Sequence, residues 1–143
     1  MEVEGVVYAL GRIHRSLTDH GVLLDLHPEP RNSRAEVARE GRVEVVGVWD
    51  QEEDIRDIRL AREQLEIVER EGAFVTERQM GFDILEHYPS VEDWLEWRTA
   101  QGSTGVIQDE LLDRARHLLA TEGSELVIRE PIRASLLRRS TGV

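Results

Sequence analysis

The 143-residue chain contains no cysteine and no lysine, and only 5% of its residues are aromatic. The absence of cysteine excludes disulfides, thiolate metal ligands and a cysteine nucleophile. The absence of lysine excludes a Schiff-base amine, and all 18 basic residues are arginines, whose planar guanidinium suits pairing with carboxylates. No apolar run is long enough to span a membrane, and the N-terminus carries acidic residues where a signal peptide carries basic ones. We therefore expect a cytoplasmic protein.

The charge of the chain is strongly negative. It has 29 acidic residues and a formal net charge of -11, which opposes binding to a nucleic-acid backbone or an anionic membrane. Abundant glutamate with arginine suits the ion-pair networks of a thermophilic protein, although a GC-rich genome favours arginine equally. With 40% hydrophobic residues, the chain is long enough for one domain with a core and short for two. We expect a single acidic domain at residues 1–143.

The spacing of apolar residues predicts a protein of the α/β (or α+β) class. Intervals of three and four indicate amphipathic helices, and alternating or continuous apolar runs indicate strands. Residues 22–26 read VLLDL, which favours a parallel strand buried on both faces, in a small mixed sheet with flanking helices. The predicted elements are a helix at 4–18, a strand at 22–27, a hairpin at 34–49 with a bulge at Gly47, a helix at 52–71, a strand at 74–88, helices at 90–100 and 108–122, and a strand at 125–138.

Two segments, DHGVLLDLHP and YPSVEDWLEW, together with the order of the elements, resemble the C-terminal half of a class I (Rossmann-like) S-adenosylmethionine-dependent methyltransferase. In that family a helix ending in Leu-Lys-Pro-Gly-Gly leads into the fifth strand, and residues 17–21 here read Leu-Thr-Asp-His-Gly. The resemblance makes 22–27 the fifth strand, 74–87 the sixth, and 125–138 the seventh, antiparallel strand. The hairpin and the helix at 108–122 are then insertions.

The donor-binding half of that family has no counterpart in this sequence. No glycine-rich loop follows a strand and opens a helix, so the cradle for a methyl donor is missing. We expect no cofactor, and S-adenosylmethionine only if another chain completes the donor site. In the resembled sheet the fourth strand flanks the fifth, so its loss uncovers an apolar edge. The resemblance therefore implies a homodimer or a separately encoded N-terminal half.

Asp25 and His27 form the first candidate site. A period of two places both side chains on one face, at the end of a strand where α/β sheets bind ligands. With His14 or His20 nearby, the pair suits ligand binding or acid–base chemistry. The same two residues serve equally well to hydrogen-bond a loop. We assign no catalytic residue and no metal site.

Trp49 and Arg98 form the second candidate site. Trp49, Trp94 and Trp97 suit the lining of a pocket, and Arg98 suits a clamp for a ligand carboxylate. The alternative is that these aromatic residues belong to a core or an interface.

Three functional hypotheses follow from these observations. The first is a non-enzymatic methyltransferase-like remnant that dimerises and binds a small ligand. The second is the substrate-binding half of a split methyltransferase, which would be enzymatic only with its other half. The third is a small-ligand α+β binding module in which the sheet encloses a pocket around Trp49 and Trp97.

Overall fold

A computed structural model describes residues 3–103 and 105–140. Each predicted element has a counterpart there, with ends that differ by no more than three residues. The chain forms two compact units, unit 1 from residues 1–30, 55–82 and 132–143 and unit 2 from 31–54 and 83–131. The helices are α1 (Val3–Ser16), α2 (Glu52–Arg70), α3 (Val91–Ala100) and α4 (Asp109–Leu119), and the strands are β1 (Val22–Pro28), β2 (Arg34–Arg39), β3 (Arg42–Val48), β4 (Phe74–Tyr88) and β5 (Glu125–Arg139).

The α/β class is confirmed, but the sheet is antiparallel where a mixed sheet was expected. β1 pairs antiparallel with β5, from Val22 opposite Arg138 to Pro28 opposite Ile132, and β4 also pairs with β5. β2 pairs antiparallel with both β3 and β5. A continuous apolar run indicates that a strand is buried, but it does not indicate the direction of the strand relative to its neighbours. The sequence therefore could not distinguish a parallel from an antiparallel strand.

In unit 1, β1 is covered on one face only, so the prediction of a strand buried on both faces is wrong. Leu23 packs on the core built from Leu10, Val68, Phe74 and Leu137. On the opposite face, the exposed fractions of three side chains are 46% for Val22, 60% for Leu24 and 56% for Leu26. Strand alternation makes this division unavoidable, because the packed helices lie on one side of the strand.

In unit 2, a hairpin and two helices enclose the core. The β2–β3 turn uses Glu40 and Gly41, both with positive φ, as a two-residue hairpin loop requires. A register shift opposite Ala35 and Glu36 confirms the bulge that was predicted at Gly47. The core contains mainly side chains from β2, α3, α4 and β5, among them Val37, Val91, Trp94, Ala115, Leu126 and Ile128.

Local sequence explains where the flanking helices begin and end. Before α3, the Ser90 hydroxyl accepts a hydrogen bond from the Asp93 amide at 3.1 Å, so Ser90 caps the N-terminus of this helix. After α1, the Gly21 amide donates to the Thr18 carbonyl at 2.8 Å. A Cβ on Gly21 would lie 2.8 Å from the Cβ of Leu17, so only glycine allows the chain to turn into β1 here.

Candidate ligand cavity in unit 1

Unit 1 contains a cavity of about 400 Å³ whose walls are mostly apolar. It lies between α1, β1 and α2, so one wall comes from each element. The polar residues at the cavity are Asp25 and His27 of β1 and Asp57 and Arg62 of α2. The apolar walls include Val6, Leu10, Pro28, Ile58, Ala61 and Leu65.

Asp25 and His27 form a hydrogen-bonded pair in the cavity wall. Nδ1 of His27 lies 2.7 Å from Oδ2 of Asp25, as the shared strand face predicted. The His27 side chain is 20% exposed and that of Asp25 26% exposed, so both lie half-buried. Nε2 of His27 is buried and has no hydrogen-bond partner among the described residues. Only one of the two ring nitrogens of His27 therefore makes a hydrogen bond within the described residues.

Acidic residues outnumber basic ones in the lining of the cavity. Arg62 lies 3.7 Å from a carboxylate oxygen of Glu29 and 3.3 Å from one of Glu66. Glu29 also accepts a 2.9 Å hydrogen bond from Nε of Arg133. Among the described residues, Arg62 is the only cation that lines the cavity, and it is thus already paired with two carboxylates. Asp25 and Asp57 add negative charge.

Glu69 of α2 is a half-buried carboxyl that lies near two other acidic residues. Burial raises the pKa of the Glu69 carboxyl above its ordinary value, and the negative charges of Glu66 and Asp25 raise it further. The hydroxyl of Thr76 donates to Glu69.

Ser135 is a polar residue next to this site that the sequence did not reveal. It lies directly opposite Asp25 in the β1–β5 pairing, and it is buried with a hydroxyl that has no partner among the described residues. In the sequence, Ser135 is a single serine within the apolar segment ASLL, and such a residue does not predict a functional site. Its position beside Asp25 depends on the strand register, which the sequence does not specify.

Trp49 and Arg98 belong to unit 2, where they contact each other. The Arg98 guanidinium lies 5.6 Å from the ring centre of Trp49 and 5.7 Å from that of Trp94. It donates a 2.6 Å hydrogen bond to the carbonyl oxygen of Gly105. Burial lowers the pKa of this guanidinium, and the charge of Asp54 partly offsets that effect. The arrangement holds the loop after α3 against the core.

The other aromatic and histidine candidates lie apart from the cavity. Trp97 is 41% exposed, and its ring centre lies 6.2 Å from that of Tyr88. His14 contacts Phe74 edge-on at 5.4 Å, and neither His14 nor His20 lines the cavity. Across residues 3–103 and 105–140, no group of three or more histidine, aspartate or glutamate side chains is placed to hold a metal ion.

No helix in the described part of the chain combines the length and the apolarity needed to cross a membrane. Comparison with protein-family models, with curated proteins and with solved structures finds no match. The likeness to class I methyltransferases therefore depends on the motifs and their order, and it stays a prediction.

Proposed function

We propose that the protein is a non-enzymatic methyltransferase-like remnant that dimerises and binds a small ligand in the unit 1 cavity. The observation that carries this proposal is the hydrogen-bonded Asp25–His27 pair in the wall of an apolar cavity of about 400 Å³. Ligand sites are typically apolar clefts of about 300–1,000 Å³ with a few convergent polar groups, and this cavity has that character.

One feature supports the methyltransferase-like part of the proposal, and another supports the non-enzymatic part. The resemblance makes the last strand antiparallel to the strand after the first helix, and β5 is antiparallel to β1. The sequence also lacks a glycine-rich loop between a strand and a helix, which is the element that binds the donor's charged end in dinucleotide-type sites. We therefore expect ligand binding without methyl transfer by this chain alone.

A titration of the purified protein tests both parts. We expect naphthalene, followed by its own fluorescence, to bind saturably, and S-adenosylmethionine and S-adenosylhomocysteine to give no heat beyond dilution in a calorimeter. Ala61→Trp fills the cavity from α2 and should abolish naphthalene binding. Glu63→Trp, on the exposed side of the same helix, is the matched control and should leave binding unchanged. Naphthalene binding that survives Ala61→Trp contradicts the cavity assignment, and saturable donor binding contradicts the non-enzymatic one.

A second candidate function is the substrate-binding half of a split methyltransferase. The exposed row of Val22, Leu24 and Leu26 on β1 favours it, because a neighbouring element of a partner chain would cover these side chains. Reading the DNA that adjoins this gene provides the test. A segment encoding a strand, a glycine-rich loop and an acidic strand end supports a split enzyme. If no such segment is found, the proposed homodimer is favoured over the split enzyme.

The third hypothesis, an α+β binding module, has one supporting feature. The hairpin and the last two strands are contiguous, since β2 and β4 both pair with β5. However, Trp49 is a core residue that packs on Trp94 with ring centres 5.1 Å apart. A pocket centred on Trp49 and Trp97 is therefore less well supported than the unit 1 cavity.

A further inference from the structure

The charges that line the unit 1 cavity favour a cationic ligand over an anionic one. Two carboxylates, Asp25 and Asp57, line the cavity, and Arg62 is the only arginine in its lining among the described residues. Arg62 lies within ion-pair distance of Glu29 and Glu66, so two further carboxylates offset its charge. The net charge of the whole chain, -11, has the same sign. A ligand carboxylate or phosphate would therefore find no free cation here.

Asp25 is placed to attract a positive group in the cavity. It lies two residues from Leu23, which packs on the core of unit 1, so the two side chains share a face of β1. The Asp25 side chain is 26% exposed. Its Oδ2 lies 2.7 Å from Nδ1 of His27, whereas Oδ1 makes no hydrogen bond within the described residues and is not enclosed. A neutral imidazole donates the first bond without cancelling the charge of the carboxylate.

The rest of the lining favours an apolar body on the same molecule. Leu10, Ile58 and Leu65 belong to the walls, and covering them with rings removes apolar surface from water. The Asp57 side chain is 62% exposed, so water and salt screen its charge. The half-buried Asp25 is screened less, and it still leaves an ammonium beside it part of its hydration.

We propose that the cavity selects an apolar molecule of one or two rings that carries one positive charge, and that this charge lies beside the carboxylate of Asp25. The inference rests on the proposed ligand site and names the chemical class of its ligand. Attraction between charges acts over several ångströms, so the preference does not depend on one contact atom.

Three naphthalene derivatives of equal size test the inference. At pH 7, 2-naphthylmethylamine is a cation, 2-naphthalenemethanol is neutral and 2-naphthoate is an anion. We expect the amine to bind about tenfold more tightly than the alcohol, the size of one charge-assisted hydrogen bond, and the naphthoate to bind more weakly than the alcohol. Raising NaCl from about 20 mM to about 500 mM should reduce the preference for the amine, because ions screen a half-exposed pair.

Two variants and a control locate the effect. Asp25→Asn keeps the size of the side chain without its charge and should lower the affinity for the amine to that for the alcohol. Asp57→Asn should change the preference by no more than about twofold, since this charge is exposed. Asp113→Asn removes the same charge from α4 in unit 2, where the side chain is 76% exposed, and should change nothing. If Asp25→Asn fails to fold, the salt dependence of the wild-type protein serves as the test.

The outcomes separate this inference from the ligand site on which it rests. Equal binding of the amine and the alcohol to the wild-type protein overturns the charge preference and leaves the cavity as an apolar site. A preference that survives Asp25→Asn, or one that salt does not reduce, overturns the role of Asp25. Failure of every probe to bind overturns both the inference and the ligand site.

Discussion

At the scale of single residues, Glu36 in unit 2 is a buried carboxylate, with only 1% of the residue exposed. Its carboxylate accepts hydrogen bonds from Arg34 at 2.7 Å and from Arg129 at 3.0 and 3.1 Å, and Arg129 also binds Asp83 at 3.1 Å. Burial by itself would raise the pKa of Glu36, but the hydrogen bonds and charges of the two arginines outweigh it and lower the pKa. The ionised form is therefore the one that the fold stabilises.

We predict that Glu36→Gln destabilises the protein by about 3 kcal/mol at pH 7, because the variant leaves two guanidinium groups without their buried counter-charge. Urea unfolding provides the measurement, with the exposed Glu122→Gln as a control that changes little. A depressed pKa stabilises the fold above the ordinary carboxyl value of 4.5 and loses that effect as the pH falls through the lowered value. The difference between Glu36→Gln and wild type should therefore shrink in acid, and a constant difference would contradict this role.

At the scale of elements, two glycines at α1 have opposite roles. A Cβ on Gly21 would meet the Cβ of Leu17 at 2.8 Å and the Thr18 carbonyl oxygen at 3.0 Å. A Cβ on Gly11, inside the helix, would meet nothing nearer than the Arg15 guanidinium at 3.7 Å. The first glycine is needed for the turn into β1, and the second only weakens the helix.

We predict that Gly21→Ala destabilises the protein by about 1–3 kcal/mol, the usual range for an overpacked site. Gly11→Ala should stabilise it by up to about 1 kcal/mol, because alanine is the better helix former. Thermal unfolding of the two variants beside wild type measures both effects, and each variant controls for the other. A stabilising Gly21→Ala would show that the turn can adopt another geometry.

At the scale of the whole molecule, the row of exposed apolar side chains on β1 is a surface through which the protein can associate with another chain. β1 is an edge strand within the described residues, and Val22, Leu24 and Leu26 project from its uncovered face. An exposed apolar strand at an edge pairs readily with another chain. This row is the surface that the proposed homodimer would use.

We predict that the wild-type chain has twice the monomer mass of 16.4 kDa in light scattering and that Leu24→Glu reduces it to a monomer. The charge placed on the paired face costs more than the contact returns. Val106→Glu, on a loop side chain that is 72% exposed, is the control and should remain dimeric. A wild-type monomer at high concentration contradicts the homodimer and favours a partner of another sequence.

Local sequence patterns account for the helices and strands and for the placement of two site residues side by side. Apolar spacing located the helices and strands, and the two-residue period of a strand placed Asp25 and His27 on one face. These are local properties, since each depends on residues a few positions apart.

Tertiary packing, in contrast, sets which faces are covered and which distant residues meet. VLLDL has the composition of a strand buried on both faces, yet the helices of unit 1 cover one face and leave Leu24 and Leu26 exposed. Ser135 faces Asp25, and Glu36 binds Arg129, because of strand registers that join residues far apart in sequence. Register and coverage follow from how elements pack together, and no local pattern of residues encodes that packing.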